Sequence, residues 1–432
     1  MEIYSVDLIS KLLLLTPIWW LIGLKFFILH LVSIILFFKM IIISKRNRIK
    51  IRINITHKLL LYFILVYVVS ITLNIPFNEK SRIIASLYNL SFWIMGFFLM
   101  ITIYNDNTIT IDKITNLVKN IKNIGIFHIC IFLISILSFK QGNTFLALDT
   151  IVKKILPHSL ATGLLDLSTT MHLYRSDWMF NVRMLRFTGT FNYPAELALG
   201  MIFILVMSYF YYKTKKVDIK LKAIITMIFI FIMFIMGLSR ITWIGLAISV
   251  FMSSILFKKN ICKRSSLKKS MSIIVIILLY AIITLNIPIV EIMYKSRENS
   301  NNARNLVYER AIEIGIENPV FGVGVKYDDP SILVPIGSHS TYIGTFMKTG
   351  FIGIILLISF IISMLIIWVK VRRNIMYNRT LYLLWQCCGI FLISSIIWMM
   401  TEDLDAPQIV AFYFFINCGL IIKLKDINEI TK

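Results

Sequence analysis

The sequence is poor in charged residues and in cysteine. Charged residues make up 16% of the 432 residues, whereas a soluble domain has about a quarter. This shortage excludes an ordinary soluble protein and a disordered chain. The five cysteines are odd in number, lie mostly inside apolar runs and form no CxxC pair, so neither a disulfide scaffold nor a cysteine metal site is expected. Glu2 and Asp7 open the chain in place of a basic segment, so no cleavable signal peptide is expected.

Hydrophobic residues are abundant enough to build a membrane-embedded helical bundle. They make up 58% of the chain, and the mean hydropathy is +0.81. A helix needs about 20 apolar residues to cross a bilayer, and the apolar runs supply about twelve spans. The runs are 8–44, which holds two spans broken near Pro17 or Gly23, then 58–75, 83–103, 124–139, 192–212, 222–239, 241–257, 271–290, 340–370, 380–400 and 407–423. We therefore predict an all-α polytopic membrane protein.

The net charge of +23 predicts an orientation in the membrane. In a soluble protein this excess would suggest nucleic acid, but here the basic residues cluster between apolar runs, as in cytoplasmic loops. The basic loops are 45–57, 213–221, 258–270 and 371–379. With these loops inside, both termini are cytoplasmic and no nucleic-acid partner is expected. Segment 105–123 also falls inside, and the helical spacing of its isoleucines and Val118 predicts an amphipathic stretch on the membrane surface.

The chain accordingly divides into five parts. They are N-terminal transmembrane helices over 1–139, a first external loop over 140–191, central transmembrane helices over 192–290, a second external loop over 291–339 and C-terminal transmembrane helices over 340–432. The two loops are the stretches from which a water-facing subdomain can be built, and such loops often carry function. We expect the run 340–370 to be one tilted helix.

Four arginines at the outer boundary are candidates for phosphate binding. Arg183 and Arg186 precede the span from 192, and Arg240 lies between two spans. Arg304 begins a predicted helix that ends near Asn318-Pro319. A guanidinium binds phosphate oxygens in pairs and keeps its proton, which suits a lipid diphosphate. The alternative for Arg186 and Arg304 is that each is an ordinary loop cation facing lipid headgroups. For Arg240 a functional role is favoured, because it is an isolated charge in apolar sequence.

One histidine and two glycines in the second loop also stand out. His339 lies where this loop meets the next span, and an imidazole exchanges protons near neutral pH; the alternative is a histidine that only starts a helix. Gly322 and Gly324 superficially suggest a phosphate loop, but GxGxxG and a Walker lysine are lacking. We expect these two glycines to be turn residues.

Together these motifs resemble the O-antigen polymerase and O-antigen ligase superfamily of bacterial cell-envelope glycosyltransferases. The matching residues are Arg186 with Gly189-Thr190-Phe191-Asn192-Tyr193-Pro194, Ser239-Arg240 with Trp243, Arg304 with Asn318-Pro319 to Gly324, and His339, Tyr342, Gly350 and Gly353. The resemblance covers roughly residues 180–365. The chain departs from the family pattern at Glu196, Ser340 and Lys348, which bears on substrate choice and on the group that assists proton transfer.

The resemblance implies a fold related to the C-type glycosyltransferases and a donor glycan on undecaprenyl diphosphate. It implies an inverting transfer that needs neither metal nor cofactor. The implied site has His339 and Arg240 as catalytic residues, Arg186, Arg304 and Arg183 as diphosphate-binding residues, and Tyr342 and Asn192 as further substrate-binding residues. The implied partners are the lipid-linked glycan, the bilayer, a flippase and a chain-length regulator.

Three functions remain open from the sequence. The first is polymerisation of the repeat units of a capsule, exopolysaccharide or O-antigen, and the second is ligase-type transfer of a finished glycan to another acceptor. The third is a transporter, against which the sequence has no inverted repeat and no matched pair of broken spans. The acids Glu402, Asp403 and Asp405 are interpreted as solvated loop residues, with sugar binding by Asp403 or Asp405 as the alternative.

Overall fold

The computed structural model describes residues 1–155, 166, 169–179, 182–215, 220–256, 298–329 and 334–430. Most of them are helical. Before the first loop the helices are α1 (Ser5–Leu14), α2 (Thr16–Ile22), α3 (Lys25–Asn47), α4 (Ile55–Asn74), α5 (Lys80–Asn105) and α6 (Ile111–Lys140). The later helices are α7 (Ile151–Ile155), α8 (Pro194–Thr214), α9 (Lys220–Met236), α10 (Arg240–Leu256), α11 (Glu298–Glu317), α12 (Thr341–Ile375), α13 (Arg379–Trp398) and α14 (Ile409–Ile430).

Seven of the described helices are long and apolar enough to cross a membrane, or eight if the bent pair α1 and α2 counts as one span. This confirms the all-α polytopic class. Breaks near Pro17 and Gly23 are present, since α1 meets α2 at 56° and α2 ends at Gly23. The apolar parts of α9 and α10 are shorter than a full span. The run 271–290 lies outside the described residues, so a total of about twelve spans stays a prediction.

Both ends of the chain lie at one end of the bundle, here called the terminal end. Asp106, just after α5, accepts hydrogen bonds from the backbone nitrogens of Ile3 and Ser5. Arg52, just before α4, pairs with Asp426 of α14 at 2.9 Å. The opposite end, where α6 finishes and α14 begins, is called the site end.

The segment 105–123 does not lie on a surface as an amphipathic stretch. Its residues from Ile111 onward form the first part of α6, which continues as a single helix to Lys140. Ile114, Val118 and Ile121 are fully buried, and α6 packs along α1, with Asn120 bonding Ser10. The helical spacing was correctly recognised, but the apolar face is covered by protein rather than by lipid.

The first loop contains a small sheet that the sequence did not predict. Strands β1 (Phe145–Asp149), β2 (Thr170–Met179) and β3 (Val182–Phe187) are antiparallel in the order β1-β2-β3. The Tyr174 hydroxyl anchors β2 to Ser138 at the end of α6. The sheet therefore sits at the site end, directly before α8.

The long helix α12 is broken rather than continuous. Gly350 has φ 64° and ψ −164°, a backbone conformation essentially restricted to glycine. The chain just after α11 fills the break, because Val323 and Gly324 donate to the carbonyls of Met347 and Lys348. Gly322 and Gly324, with φ 65° and 76°, are turn residues as predicted. The backbone nitrogens of Val323 and Gly324 replace the helical hydrogen-bond donors that the break removes.

Replacing Gly350 with alanine should therefore destabilise the protein. A Cβ atom there would meet the Val320 carbonyl, and the conformation alone costs about 1–3 kcal/mol for a non-glycine residue. We expect Gly350→Ala to lower the thermal unfolding temperature in detergent. Gly245→Ala is the matched control, because its Cβ would make only ordinary contacts with Ser394 and Ile397. Equal unfolding temperatures for the two variants would contradict the assignment.

Candidate functional site

The loop between α13 and α14 is buried and ion-paired at the site end. Each of its acids pairs with a cation from a different part of the chain. The pairs are Glu402 with Arg304 at 3.0 Å, Asp403 with Lys326 at 2.6 Å and Asp405 with Lys348 at 2.5 Å. The three acidic residues are between 2% and 9% exposed. Their interpretation as solvated loop acids is therefore wrong, because solvated carboxylates would not need fixed partners.

Asp405 remains ionised inside this loop. Burial by itself raises the pKa of Asp405, but the charges of Lys348 and Lys326 outweigh that effect and hold the pKa below its ordinary value. The Trp93 indole also donates to this carboxylate, at 3.3 Å. Lys348, one of the departures from the family pattern, is thus the counter-ion of Asp405.

His339 lies at the junction of the second loop and α12. Its backbone has φ 64°, in the left-handed region that histidine tolerates better than most residues. The Tyr308 hydroxyl of α11 donates to its carbonyl at 2.7 Å. Ser340, another departure, caps α12 by accepting from the Ile343 nitrogen. The bond to its carbonyl and the helix cap at the next residue therefore fix the backbone position of His339.

The surroundings of His339 favour its neutral form. Burial lowers the pKa of His339 below its ordinary value of 6.5, and Arg304 and Lys326 act in the same direction. Glu402 and Asp403 oppose them. A histidine that is neutral at pH 7 can accept a proton, which is what a general base requires.

The acids and His339 lie close to Arg304. This arginine projects from α11, one helical turn before Tyr308, and bonds both Glu402 and the Thr401 carbonyl. The structure thus brings two predicted site residues, Arg304 and His339, to the same acidic loop. Tyr342, also predicted, is directed elsewhere, since its hydroxyl donates to the Ile396 carbonyl.

A cleft of about 750 Å³ opens beside this loop, under the sheet. Its lining residues are Thr144, Phe145, His172, Tyr174, Arg175, Ser176, Arg186, Thr188, Asn192, Tyr193 and Pro194. Arg186 pairs with Asp177 at 3.2 Å and reaches the Gly237 carbonyl at 3.5 Å. Burial raises the pKa of Tyr193 to about 12, with Glu196, Asp403 and Glu402 adding to the shift. The cleft therefore lies close enough to the acidic loop for the carboxylates of that loop to act on Tyr193.

Arg240 is the first residue of α10 and belongs to the same end of the bundle. Gly237, which Arg186 contacts, lies three residues before it in the α9–α10 turn. Lower in the helix, Gly245 packs on Ser394 and Ile397, and Ser249 bonds Ser394. Since α10 and α13 run antiparallel through these contacts, Arg240 lies level with the residues that follow Ile397, at the start of the acidic loop.

Arg183 is separated from the other arginines. It lies on β3 three residues from Arg186 and so projects from the opposite face of the strand. Its guanidinium bonds the carbonyls of Gly142 and Asn143 and stacks on Phe139. Arg183 anchors the sheet to the end of α6, and it does not line the cleft.

The turn before α8 is held by buried charges. Lys25, at the start of α3, donates to the Thr190 carbonyl at 3.0 Å and to the Asn192 side chain at 2.6 Å. The Asn192 amide in turn donates to the Pro407 carbonyl. The Glu196 carboxylate accepts from the backbone nitrogens of Asn192 and Ile409. Both ends of the Asn192 amide thus bond the protein, and its role in substrate binding stays a prediction.

Several residues of this region were missed from the sequence. Lys326 and Tyr308 lie in the second loop near predicted site residues. Their partners, Asp403 and the His339 carbonyl, are far away in the chain. Lys25 carried a usable signal, since it is a lone charge next to the Gly23 break in an apolar run. Among the described residues no cluster of three His, Cys, Asp or Glu side chains could hold a metal ion, and metal independence remains a prediction.

Comparison with known families gives one match. Residues 225–358 match a family described as O-antigen ligase. The matched range contains Arg240, Arg304, His339 and Tyr342, whereas Arg186 and Asn192 precede it. No curated protein matches the chain significantly.

The match confirms the resemblance to the O-antigen polymerase and ligase superfamily. The match indicates a glycosyl-transfer-type enzyme and supports a polysaccharide polymerase or ligase role, and the candidate spans indicate a multi-pass membrane protein.

The Lys25 network leads to a stability prediction. Lys25→Met leaves the Thr190 and Asn192 oxygens without a donor and Glu196 without a nearby cation, so we expect a loss of several kcal/mol of unfolding free energy, about 3–5 as for a broken buried pair. The double variant Lys25→Met with Glu196→Gln should be less destabilised than the sum of the two single variants, because the uncompensated charge is gone. Thermal unfolding in detergent measures both. Strict additivity would show that the two charges are independent.

Proposed function

We propose that the protein polymerises undecaprenyl-diphosphate-linked oligosaccharide repeat units at the outer face of the cytoplasmic membrane. The product would be a surface polysaccharide such as a capsule, an exopolysaccharide or an O-antigen. The observation that carries this proposal is the position of Arg304 and His339, which lie against the same acidic loop and within the matched O-antigen ligase range. A cation for the leaving group and a neutral base are thus close together.

The proposed reaction is a direct displacement at the anomeric carbon. The acceptor hydroxyl attacks this carbon, the bond from the carbon to the diphosphate oxygen breaks, and the diphosphate leaves with the bonding electrons. His339 takes the proton of the hydroxyl. Arg186, Arg240 and Arg304 stabilise the charge that grows on the diphosphate, as preorganised cations do at other leaving groups. A single displacement inverts the configuration of the sugar.

The basic loops support the orientation that this reaction needs. Loops 45–57 and 371–379 and the C-terminus favour the cytoplasm by their positive charge, and the described structure has both termini at one end. The site end then faces outward, where a flippase delivers lipid-linked glycans. A flippase and a chain-length regulator are the proposed protein partners.

A ligase reaction would use the same donor chemistry and differs only in the acceptor. The transporter alternative gains one observation, because α12, which we expect from the sequence to be one tilted helix, breaks at Gly350. That break is filled by the residues after α11 and so opens no path through the bundle. The break is therefore explained by packing, and glycosyl transfer remains the better-supported function.

The role of Arg240 can be tested with the polymerisation reaction itself. We expect purified protein and a lipid-linked repeat unit to give a ladder of polymers on a gel. Arg240→Ala should abolish most of the ladder, and Arg240→Lys should also impair it, because lysine keeps the charge but loses the bidentate fork. Expression and detergent stability of each variant provide the control. A full ladder from both variants would remove Arg240 from the site.

The role of His339 can be tested by turnover and pH. His339→Gln should reduce turnover by about 10²–10⁴, because an amide can hydrogen-bond but cannot take the proton, while donor binding stays largely intact. Since burial lowers the pKa of His339, the wild type should stay active below the ordinary histidine pKa of 6.5 and lose activity as the pH falls through the lowered value. The variant should lack this acid limb. Near wild-type turnover of His339→Gln would move the search for the base to Glu196, Asp403 and Asp405.

A further inference from the structure

Two arginines face each other across neighbouring strands of the sheet. Arg175 on β2 is the direct cross-strand partner of Arg186 on β3. Side chains in such a pair project from the same face, with Cβ atoms about 5 Å apart. Like charges directly opposite destabilise an antiparallel pair, so this arrangement opposes the stability of the sheet unless an anion lies between the two groups.

The protein compensates one of these two charges. Arg186 pairs with Asp177, the residue two positions beyond Arg175 on β2. The Arg175 side chain is exposed, and it makes no hydrogen bond or ion pair with any residue in the described part of the chain. A cation thus remains available beside a second cation whose position is fixed.

Both arginines line the cleft under the sheet, together with His172, Ser176 and Thr188. None of the residues lining this cleft is acidic. Phe145 on β1 is the cross-strand partner of Arg175, and its apolar ring also lines the cleft. The cleft therefore offers paired guanidinium groups, hydroxyl groups and aromatic rings, a combination that suits an acidic saccharide or its diphosphate.

We propose that Arg175 and Arg186 together form an anion site that binds an acidic group of the lipid-linked glycan. This group is either the diphosphate or a carboxylate of an acidic sugar. The identity of the natural ligand rests on the proposed function, whereas the existence of an anion site does not. Arg175 thereby takes the place that the sequence motif suggested for Arg183.

Arg183 provides a matched control because it belongs to the same sheet and has the same charge. It projects from the opposite face of β3 and bonds the carbonyls of Gly142 and Asn143. Arg183→Gln and Arg175→Gln therefore lower the net charge equally. They differ in whether the lost guanidinium lines the cleft.

The test is direct binding to the full-length protein in detergent. The probes are farnesyl diphosphate, farnesol as its uncharged counterpart, and glucuronic acid. We expect Arg175→Gln to raise the Kd of one acidic probe by about ten-fold or more, the usual effect of losing a charge-assisted bond, and Arg183→Gln to change it less than two- to three-fold. A selective loss for farnesyl diphosphate identifies the diphosphate, and a selective loss for glucuronic acid identifies a sugar carboxylate.

Thermal unfolding separates loss of binding from loss of folding. Without ligand, Arg175→Gln should unfold at the same temperature as wild type or higher, because the variant relieves the cross-strand repulsion. An unchanged affinity for both acidic probes, or equal losses in the two variants, overturns the anion site. If the site binds farnesyl diphosphate but the wild type makes no polymer ladder, the proposed function fails and the anion site stands.

Discussion

The site end of the protein depends on three carboxylates that cannot stay buried alone. Moving an ionised carboxylate out of water is strongly unfavourable unless a cation and hydrogen bonds replace the water. Glu402, Asp403 and Asp405 obtain these partners from α11, from the second loop and from α12. One short loop therefore fixes the relative positions of three elements, and His339 lies where the three meet.

The break in α12 serves the same arrangement. An unbroken helix would leave no free carbonyls for Val323 and Gly324, and the second loop would then lack its attachment to the bundle. Hydroxyl groups from α4 and α5 add to this attachment, since Ser70 donates to the Lys348 carbonyl and Ser86 to the Gly324 carbonyl. The broken turn of α12 thus holds the second loop against α4 and α5 as well as against α11 and α12.

Sequence reasoning recovered the helices because hydropathy depends on residues that are close together in the chain. It also singled out Arg304 and His339, because both lie in short motifs, and the structure brings them to the same acidic loop. It could not recover partners such as Asp403 for Lys326, because ion pairing across 77 residues leaves no local pattern. The sheet was missed for a related reason: β2 mixes apolar and charged residues, and its pairing with β1 is irregular between Leu146 and Ala147. Arg175 was not considered, because which residues share a face with Arg186 cannot be seen until the strands are known.

The hydrogen bonds of the Glu196 carboxylate have a consequence for the order in which parts of the protein fold. The carboxylate accepts from the backbone nitrogen of Asn192 and from that of Ile409, which lies 213 residues after Glu196 in the chain. Contacts of such separation form late, because a long stretch of chain must be ordered before they can close. The turn before α8 can therefore reach its final shape only after α14 has been synthesised and inserted. A ribosome-bound chain that still lacks α14 would expose an incomplete cleft, and binding of a lipid-linked glycan would begin only once translation has passed Ile409.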